Sequence, residues 1–293
     1  MSFDSVMDLL ASTLRVSTPL LFAALGGLVS ERSGVVNIAL EGMMIVGALA
    51  AAVLTHATGS PWLGWGAAAG AGMVLAAIYG LSVIRLRADQ IVAGTAINLL
   101  AAGSAPFVCK VLYGATGQTP ALELSQRLGE SPLILAFVCV AVVALWLRST
   151  ASGLWLRVAG EHPQALSTAG VGVVRVRWAA VLLSGVLAGW GGATLSISLS
   201  SAFSRGMTGG RGFMALAALI FGKWKPIPTA AACLLFGLAD ALQIRLQGVV
   251  LWGTEPVPVQ FIQILPYAVT ILVLAGFVGQ ARAPSALGRP FDT

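Results

Sequence analysis

The sequence predicts an all-α integral membrane protein, a polytopic bundle of about eight to ten transmembrane helices. Of its 293 residues, 57% are hydrophobic and only 10% are charged, whereas soluble domains carry about 25% charged residues. Apolar stretches long enough to cross a bilayer core of about 30 Å recur along the chain. They are continuous rather than alternating, which favours helices over the strands of a closed barrel.

Nine apolar segments account for the predicted spans. They lie at residues 14–29, 34–55, 62–84, 91–112, 132–147, 178–199, 212–222, 227–247 and 258–279. The piece 212–222 is too short to span a bilayer comfortably, so we predict a half-helix after a re-entrant turn. We interpret the preceding "GMTGGRG" as a flexible external turn. Because no linker separates the segments, residues 1–293 are expected to form a single transmembrane domain.

Basic residues in the loops predict the orientation, because cytoplasmic loops carry an excess of Lys and Arg. The loop 148–177 holds one acidic residue, Glu161, against four arginines, so we place it inside: Arg148, Arg157, Arg175 and Arg177. Alternation puts further basic residues inside: Arg85, Arg87, Lys223, Lys225, Arg282 and Arg289. It puts residues 56–61, 113–131 and 201–210 outside. Nine spans place the N-terminus outside, unless the first segments are broken or interfacial.

The middle of the loop 148–177 has the features of a short surface helix. Glu161, Gln164 and Ala165, followed by Gly170, would form this helix with Pro163 near its first turn. A helix lying along the membrane surface suits docking into another protein. An ordinary solvated connection explains the composition equally well.

Asn37 and Glu41 interrupt the second apolar segment. Four residues apart in a continuous helix, they would share one face. Polar side chains in a membrane helix are costly and usually face the bundle interior or a wet cavity. This face therefore either borders a translocation path or locks helices together through hydrogen bonds.

Similar polar stripes recur on other predicted helices. They comprise Gln90, Gly94 and Asn98; Ser196, Ser200 and Ser204; and Asp240, Gln243 and Gln247. Several such stripes converging on one interior would suit a neutral, hydroxyl-rich solute, although each serine can also bond its own helix backbone. The residues predicted to line a solute path are Asn37, Glu41, Gln90, Asn98, Ser200 and Asp240.

Four sequence blocks in the expected order resemble the permease subunits of ATP-binding-cassette (ABC) importers. They are "ERSGVVNIALEGMM", "LRADQIVAGTAINLLAAG", "LRVAGEHPQALSTAGVGVVRVRW" and "GFMALAALIFGKWKP". The resemblance runs from about Thr18 to Gly288. It is closest to the branch with the branched-chain amino acid and simple-sugar permeases, and within it to the nucleoside-type permeases.

The resemblance implies a role for the loop 148–177. In such permeases a loop with Glu-x-x-x-Ala-x-x-x-x-Gly is the coupling helix, which sits in a cleft of the ATPase subunit. The implied coupling residues are Arg157, Glu161, His162, Gln164, Ala165 and Gly170. The sequence departs from the family at His162, where asparagine is frequent, and at Leu166, where a second alanine is usual.

The resemblance also implies the partners. We expect a permease subunit that moves a small polar solute, above all nucleosides, across the bacterial inner membrane. A separate ATPase would bind ATP and magnesium, because this chain has no GxxxxGK[ST] loop, and no cofactor or metal is expected here. A second, different permease would complete the path, and a substrate-binding lipoprotein would deliver the solute. The dispersed basic residues predict contact with membrane lipid, not with nucleic acid.

Alternatives from other classes stay open at the level of sequence. A simple-sugar ABC permease would share the architecture. A self-sufficient, ion-driven secondary transporter would need internal inverted repeats and a buried ionic relay, for which only Glu41 and Asp240 are candidates. A membrane enzyme is disfavoured because we find no nucleophile, metal cluster or acid–base pair.

Overall fold

Ten α-helices dominate the computed structural model of the protein, which describes residues 3–246, 264 and 282–291. Their bounds are α1 Phe3–Arg32, α2 Leu40–Thr58, α3 Pro61–Gly80, α4 Gln90–Tyr113, α5 Ser131–Ser149, α6 Ala151–Glu161, α7 Pro163–Thr168, α8 Val173–Thr194, α9 Arg211–Phe221 and α10 Pro226–Leu246. Two π-helical turns, Leu81–Arg85 and Leu195–Leu199, extend α3 and α8, and a short 3₁₀ turn covers Leu124–Gln126.

Seven of the described helical stretches are long and apolar enough to cross a membrane, which confirms the predicted fold class. They are Asp4–Arg32, Leu40–Thr58, Pro61–Arg85, Gln90–Tyr113, Leu124–Ser149, Val173–Leu199 and Pro226–Leu246. Helix α9 is apolar but has only 11 residues, as expected for a half-helix. The predicted segment 258–279 lies outside the described residues.

Glycine allows the helices at the centre of the bundle to approach closely. A Cβ added to Gly72 of α3 would lie 2.1 Å from the carbonyl oxygen of Gly185 on α8. A Cβ on Gly192 of α8 would lie 2.0 Å from the carbonyl oxygen of Met44 on α2. In a membrane, where burial of apolar surface does not drive helices together, such backbone proximity supplies the packing contacts.

The predicted segment 34–55 is not one helix. Helix α1 ends at Arg32, residues 33–39 are not helical, and α2 begins only at Leu40. Gly34 has a φ of +94°, which an L side chain rarely adopts. Asn37 therefore precedes α2, and the expectation that it shares a helical face with Glu41 is wrong.

The serine stripe is also corrected. The π turn of α8 ends at Leu199, so Ser200 and Ser204 lie in the irregular segment that follows and share no helical face with Ser196. Gln247 of the third stripe lies outside the described residues.

Loops predicted to lie on the same side of the membrane lie at the same end of the bundle. At one end the segment 117–122 pairs with 201–205, and Arg15 of α1 forms an ion pair of 2.7 Å with Glu130. At the other end Arg32 approaches Glu161 to 3.8 Å and donates to the carbonyl of Trp224. The first end corresponds to the predicted outside and the second to the predicted cytoplasmic side.

Candidate functional site

The non-helical segment 33–39 interrupts the polypeptide inside the bundle, so its backbone groups need partners from other helices. Gln90, the first residue of α4, accepts a hydrogen bond from the Val36 N–H at 2.8 Å. The hydroxyl of the buried Tyr79 on α3 donates to the Val36 carbonyl. Gln90 therefore supports the backbone of this segment.

Asn98 supports the same region one level further along α4. Its Oδ1 accepts from the Gly42 N–H at 2.7 Å, and its Nδ2 donates to the Ile38 carbonyl at 2.9 Å. The first group belongs to the opening turn of α2, where N–H groups lack an intrahelical partner. The predicted stripe of Gln90, Gly94 and Asn98 is buried, and it packs against the residues around the start of α2.

Asn37 is fully buried and forms local and long-range contacts. Its Oδ1 accepts from the Ala39 N–H at 3.1 Å, which stabilises the turn into α2. Its Nδ2 donates to Ser184 Oγ of α8 at 2.8 Å. These contacts join the segment 33–39 to the central helix of the bundle.

Glu41 connects the start of α2 to the start of α9. Its two carboxylate oxygens accept from the Gly210 N–H at 2.9 Å and from the Gly212 N–H at 2.7 Å. These donors are N-terminal groups of α9, which attract a negative charge because they lack intrahelical partners and carry the positive end of the helix dipole. The expectation that "GMTGGRG" is flexible is corrected at its end, because the backbone N–H groups of Gly210 and Gly212 are held against α2.

A second charged contact lies at the same end of α9. Arg211 approaches Asp240 of α10 to 3.8 Å and also donates to the carbonyls of Met207 and Thr208 at 3.2 and 3.4 Å. The side chain of Asp240 is only 14% exposed. Both predicted intramembrane acids thus have partners at the start of α9.

A cavity of about 440 Å³ lies beside this junction. Of the predicted path residues, Glu41 and Asn98 line it. The other lining residues are Ile45, Thr95, Leu99, Ala102, Ala105, Pro106, Phe203, Arg205, Gly206, Thr208, Gly209, Gly210 and Phe213. Asn37, Gln90 and Asp240 do not line it, and Ser200 lies beside the paired outer loops.

Sequence reasoning missed the residues that the re-entrant turn brings to this cavity. The aromatic Phe203 and Phe213 flank the glycine-rich stretch, and Thr208 lies within it. The only signal was that stretch itself, since several glycines before a short apolar segment are typical of a backbone that folds back into the bundle.

The predicted coupling residues lie on α6, on α7 and in the turn after α7. Helix α6 ends at Glu161, His162 forms the break, and α7 begins at Pro163. The expectation of one short helix that includes Glu161 is therefore corrected, because His162 has non-helical dihedrals. On α7, Gln164 and Ala165 are exposed, whereas Leu166 is buried.

Glu161 contacts other parts of the permease, although its side chain is 43% exposed. Its carboxylate accepts from the Ser285 N–H at 3.2 Å and lies 3.8 Å from Arg32. The adjacent Gly160 carbonyl accepts from Ala286 at 2.8 Å. The segment 282–291 therefore holds the end of α6 against α1.

Two further coupling residues have different positions. Gly170 ends the turn after α7 with a φ of +81°, a conformation that favours glycine. Arg157 of α6 is half-buried, and its Nε is buried with no hydrogen-bond partner in the described part of the chain. Arg157 is therefore less exposed to a partner than Gln164.

Arg32 connects this region to α9. While its Nη1 faces Glu161, its Nε donates to the carbonyl of Trp224 at 2.8 Å, just after α9. The Trp224 indole in turn donates to Glu31 at 2.6 Å. Helix α9 is thus held near the coupling residues at one end and by Glu41 at the other.

Comparison with known proteins identifies the family. Residues 9–274 match the family described as the branched-chain amino acid transport system / permease component. The chain is 39% identical to the guanosine ABC transporter permease protein NupQ of Bacillus subtilis, covering 96% of this chain and 95% of the relative. It is also 39% identical to the nucleoside ABC transporter permease protein NupC of Lactococcus lactis, covering 97% and 96%.

A third relative, 36% identical over 100% of this chain and 99% of its own length, is the putative glucose ABC transporter permease protein TsgC13 of Haloferax volcanii. No solved structure gives a significant match. The family match covers most of the chain, and the described helices are those of a multi-pass membrane protein. The chain therefore belongs to the branched-chain amino acid transport permease family and is a transmembrane permease subunit of an ABC transporter.

Proposed function

We propose that this permease imports nucleosides across the bacterial inner membrane. The observation that carries the proposal is the 39% identity, over nearly the full length of both chains, to permeases named for guanosine and for nucleosides. The 36% identity to a putative glucose permease makes a simple sugar the second candidate.

The cavity beside Glu41 and Asn98 has groups that suit a nucleoside. Hydroxyl and amide groups from Thr95 and Asn98 offer partners to a ribose, while the exposed Phe213 offers apolar surface to a base. A simple sugar could use the same polar groups and pack its C–H face on the ring, so the cavity fits both candidates. We favour the nucleoside because the two relatives at 39% identity are named for guanosine and for nucleosides.

Energy would come from a separate ATPase that binds ATP with magnesium and contacts the exposed face of α7. Its movement would reach the cavity through Arg32, the end of α9 and the Glu41 junction, because these contacts are continuous. A substrate-binding lipoprotein would deliver the solute at the opposite end of the bundle.

A second, different permease would complete the path. Weaker similarity, at 27% and 24% identity, links this chain to other permeases of the same two bacteria, NupP and NupB. One chain therefore resembles two permeases from each bacterium at different levels. This pattern favours a heterodimer of related subunits.

The test is purification of the tagged permease from its native membrane, followed by identification of co-eluting subunits and reconstitution in proteoliposomes. We expect an ATPase, a second permease, and ATP-dependent uptake of radiolabelled guanosine that excess glucose does not inhibit. ATP-dependent glucose uptake without guanosine uptake would support the sugar candidate. Uptake driven by an ion gradient in the absence of any ATPase would contradict both.

A further inference from the structure

A second groove, separate from the cavity at Glu41, opens at the end of the bundle that carries the coupling residues. It has a volume of about 450 Å³ and lies between α5, α6 and the first turns of α8. Trp146 of α5 and Trp155 of α6 line one side, and Arg175, Ala179 and Leu183 of α8 line the other. Of the predicted coupling residues only Gly170 lines this groove, at its edge beyond α7.

The groove changes from charged to apolar along α8. Arg175 lies in the first turn of the helix, and Ala179 and Leu183 follow on the same face at intervals of four residues. At about 1.5 Å per residue, Leu183 lies about 12 Å farther along α8 than Arg175, on the outer surface of the bundle. A cation at the mouth and a methyl-lined floor match a phosphate headgroup attached to an acyl chain.

The groups at the mouth are available to a ligand. The Arg175 side chain is exposed and has no ion pair or hydrogen bond within the described ranges 3–246 and 282–291. Trp146 Nε1 donates to Ser152 Oγ at 2.8 Å, which orients that ring. Tryptophan and arginine are the residues that proteins place at the level of lipid headgroups.

Helix α6 supplies an independent indication of membrane contact. Leu154 and Trp155 are 49% and 42% exposed on its outward face, while Gly153 and Leu156 pack inward. An 11-residue helix with large apolar side chains on its outer face is typical of a helix that lies in the membrane interface.

We propose that this groove binds an anionic phospholipid, with its phosphate at Arg175 and one acyl chain along Ala179 and Leu183. Free phosphate would leave the apolar floor exposed, and a zwitterionic lipid would place a second cation beside Arg175. The charge at Arg175 and the length of the apolar surface beside it therefore favour a lipid with net negative charge.

The test uses the permease purified with its co-eluting subunits. Native mass spectrometry measures the apparent Kd for phosphatidylglycerol and for phosphatidylcholine with the same acyl chains. We expect a preference for phosphatidylglycerol that Arg175→Gln weakens about five-fold, since one arginine near an anionic headgroup contributes about 1 kcal/mol. Arg148→Gln removes the same charge from an exposed residue outside the groove and should keep the wild-type affinity.

Leu183→Trp fills the apolar part of the groove and should weaken binding of both lipids. This variant tests the proposal even if the Arg175→Gln complex does not assemble. Unchanged phosphatidylglycerol affinity in either groove variant would overturn the proposal. An equal loss in Arg148→Gln would overturn it as well, because general surface charge would then explain the binding. Full competition by glycerol phosphate would also overturn the proposal. Release of the ATPase from the Arg175→Gln variant with unchanged lipid affinity would overturn it too.

Discussion

Glu41 accepts a hydrogen bond of 2.7 Å from the backbone N–H of Gly212, 171 residues further along the chain. With the companion bond from Gly210, the carboxylate joins the starts of two helices, α2 and α9. Both donors would otherwise lack partners inside the bundle. The buried acid therefore has a structural explanation that requires no proton or ion relay.

We predict that Glu41→Gln destabilises the protein. A carboxamide keeps one acceptor oxygen, but its NH₂ group would face an N–H donor, so one charge-assisted hydrogen bond is lost. Such a loss costs about 1.5–3 kcal/mol. The thermal unfolding temperature of the purified complex and the uptake per complex should both fall.

The control is Glu130→Gln, which breaks an exposed ion pair with Arg15 and should cost less than about 1 kcal/mol. If the Glu41 variant unfolds at the wild-type temperature, its carboxylate is not the link between α2 and α9.

Asn98→Leu should lower the yield of assembled complex. It removes the hydrogen-bond partners of the Gly42 N–H and the Ile38 carbonyl, and each buried polar group left without a partner costs about 1–3 kcal/mol of stability. Thr95→Val on the same helix is the control, because among the described residues the Thr95 hydroxyl bonds only to the Ile91 carbonyl of its own helix. Quantitative size-exclusion chromatography measures the yield. An Asn98 variant that assembles normally but transports slowly would indicate direct solute contact.

Gly212→Ala should impair transport despite the higher helix propensity of alanine. The new Cβ would lie 2.5 Å from the Glu41 backbone nitrogen, so α9 must move away from α2. Overpacking of this kind costs about 1–3 kcal/mol. Gly103→Ala in α4 is matched to it, since nothing lies within 4 Å of its added Cβ. Equal uptake by both variants would contradict close packing at the α2–α9 junction.

Glu161→Arg and Gln164→Arg should fail in different ways. Glu161→Arg places a cation near Arg32 and removes the acceptor of the Ser285 N–H, so we expect it to abolish uptake and lower the melting temperature. Gln164 is exposed on α7, so its change should reduce ATPase co-purification without altering the melting temperature. Normal transport by the Glu161 variant would disprove its coupling role.

Impermeant maleimide should label the two ends of the bundle differently. In a background with Cys109, Cys139 and Cys233 replaced by alanine, Thr116→Cys should react in intact spheroplasts. Ser167→Cys should react only after lysis, because its loop has the arginine excess of a cytoplasmic segment. Both positions are exposed in the structure. The reverse labelling pattern would invert the proposed orientation.

The sequence by itself determined the membrane class, the approximate positions of most of the described long helices and the grouping of the loops. These features depend on local composition, since a bilayer of fixed thickness selects apolar stretches of fixed length and basic residues mark one side. The short segment 212–222 was recognisable as a half-helix for the same reason, and the structure places it at Arg211–Phe221.

Only the tertiary structure decided what the polar residues contact. The sequence predicted that Asn37 and Glu41 belong to one continuous helix. A pattern of side chains does not show that groups from distant helices supply hydrogen-bond partners to a non-helical segment. Gln90 and Asn98 satisfy that break from another helix, and Glu41 reaches donors 169 and 171 residues away. Inside a bilayer every such donor and acceptor needs a protein partner, so the partner's position in space, rather than its distance along the chain, determines the structure.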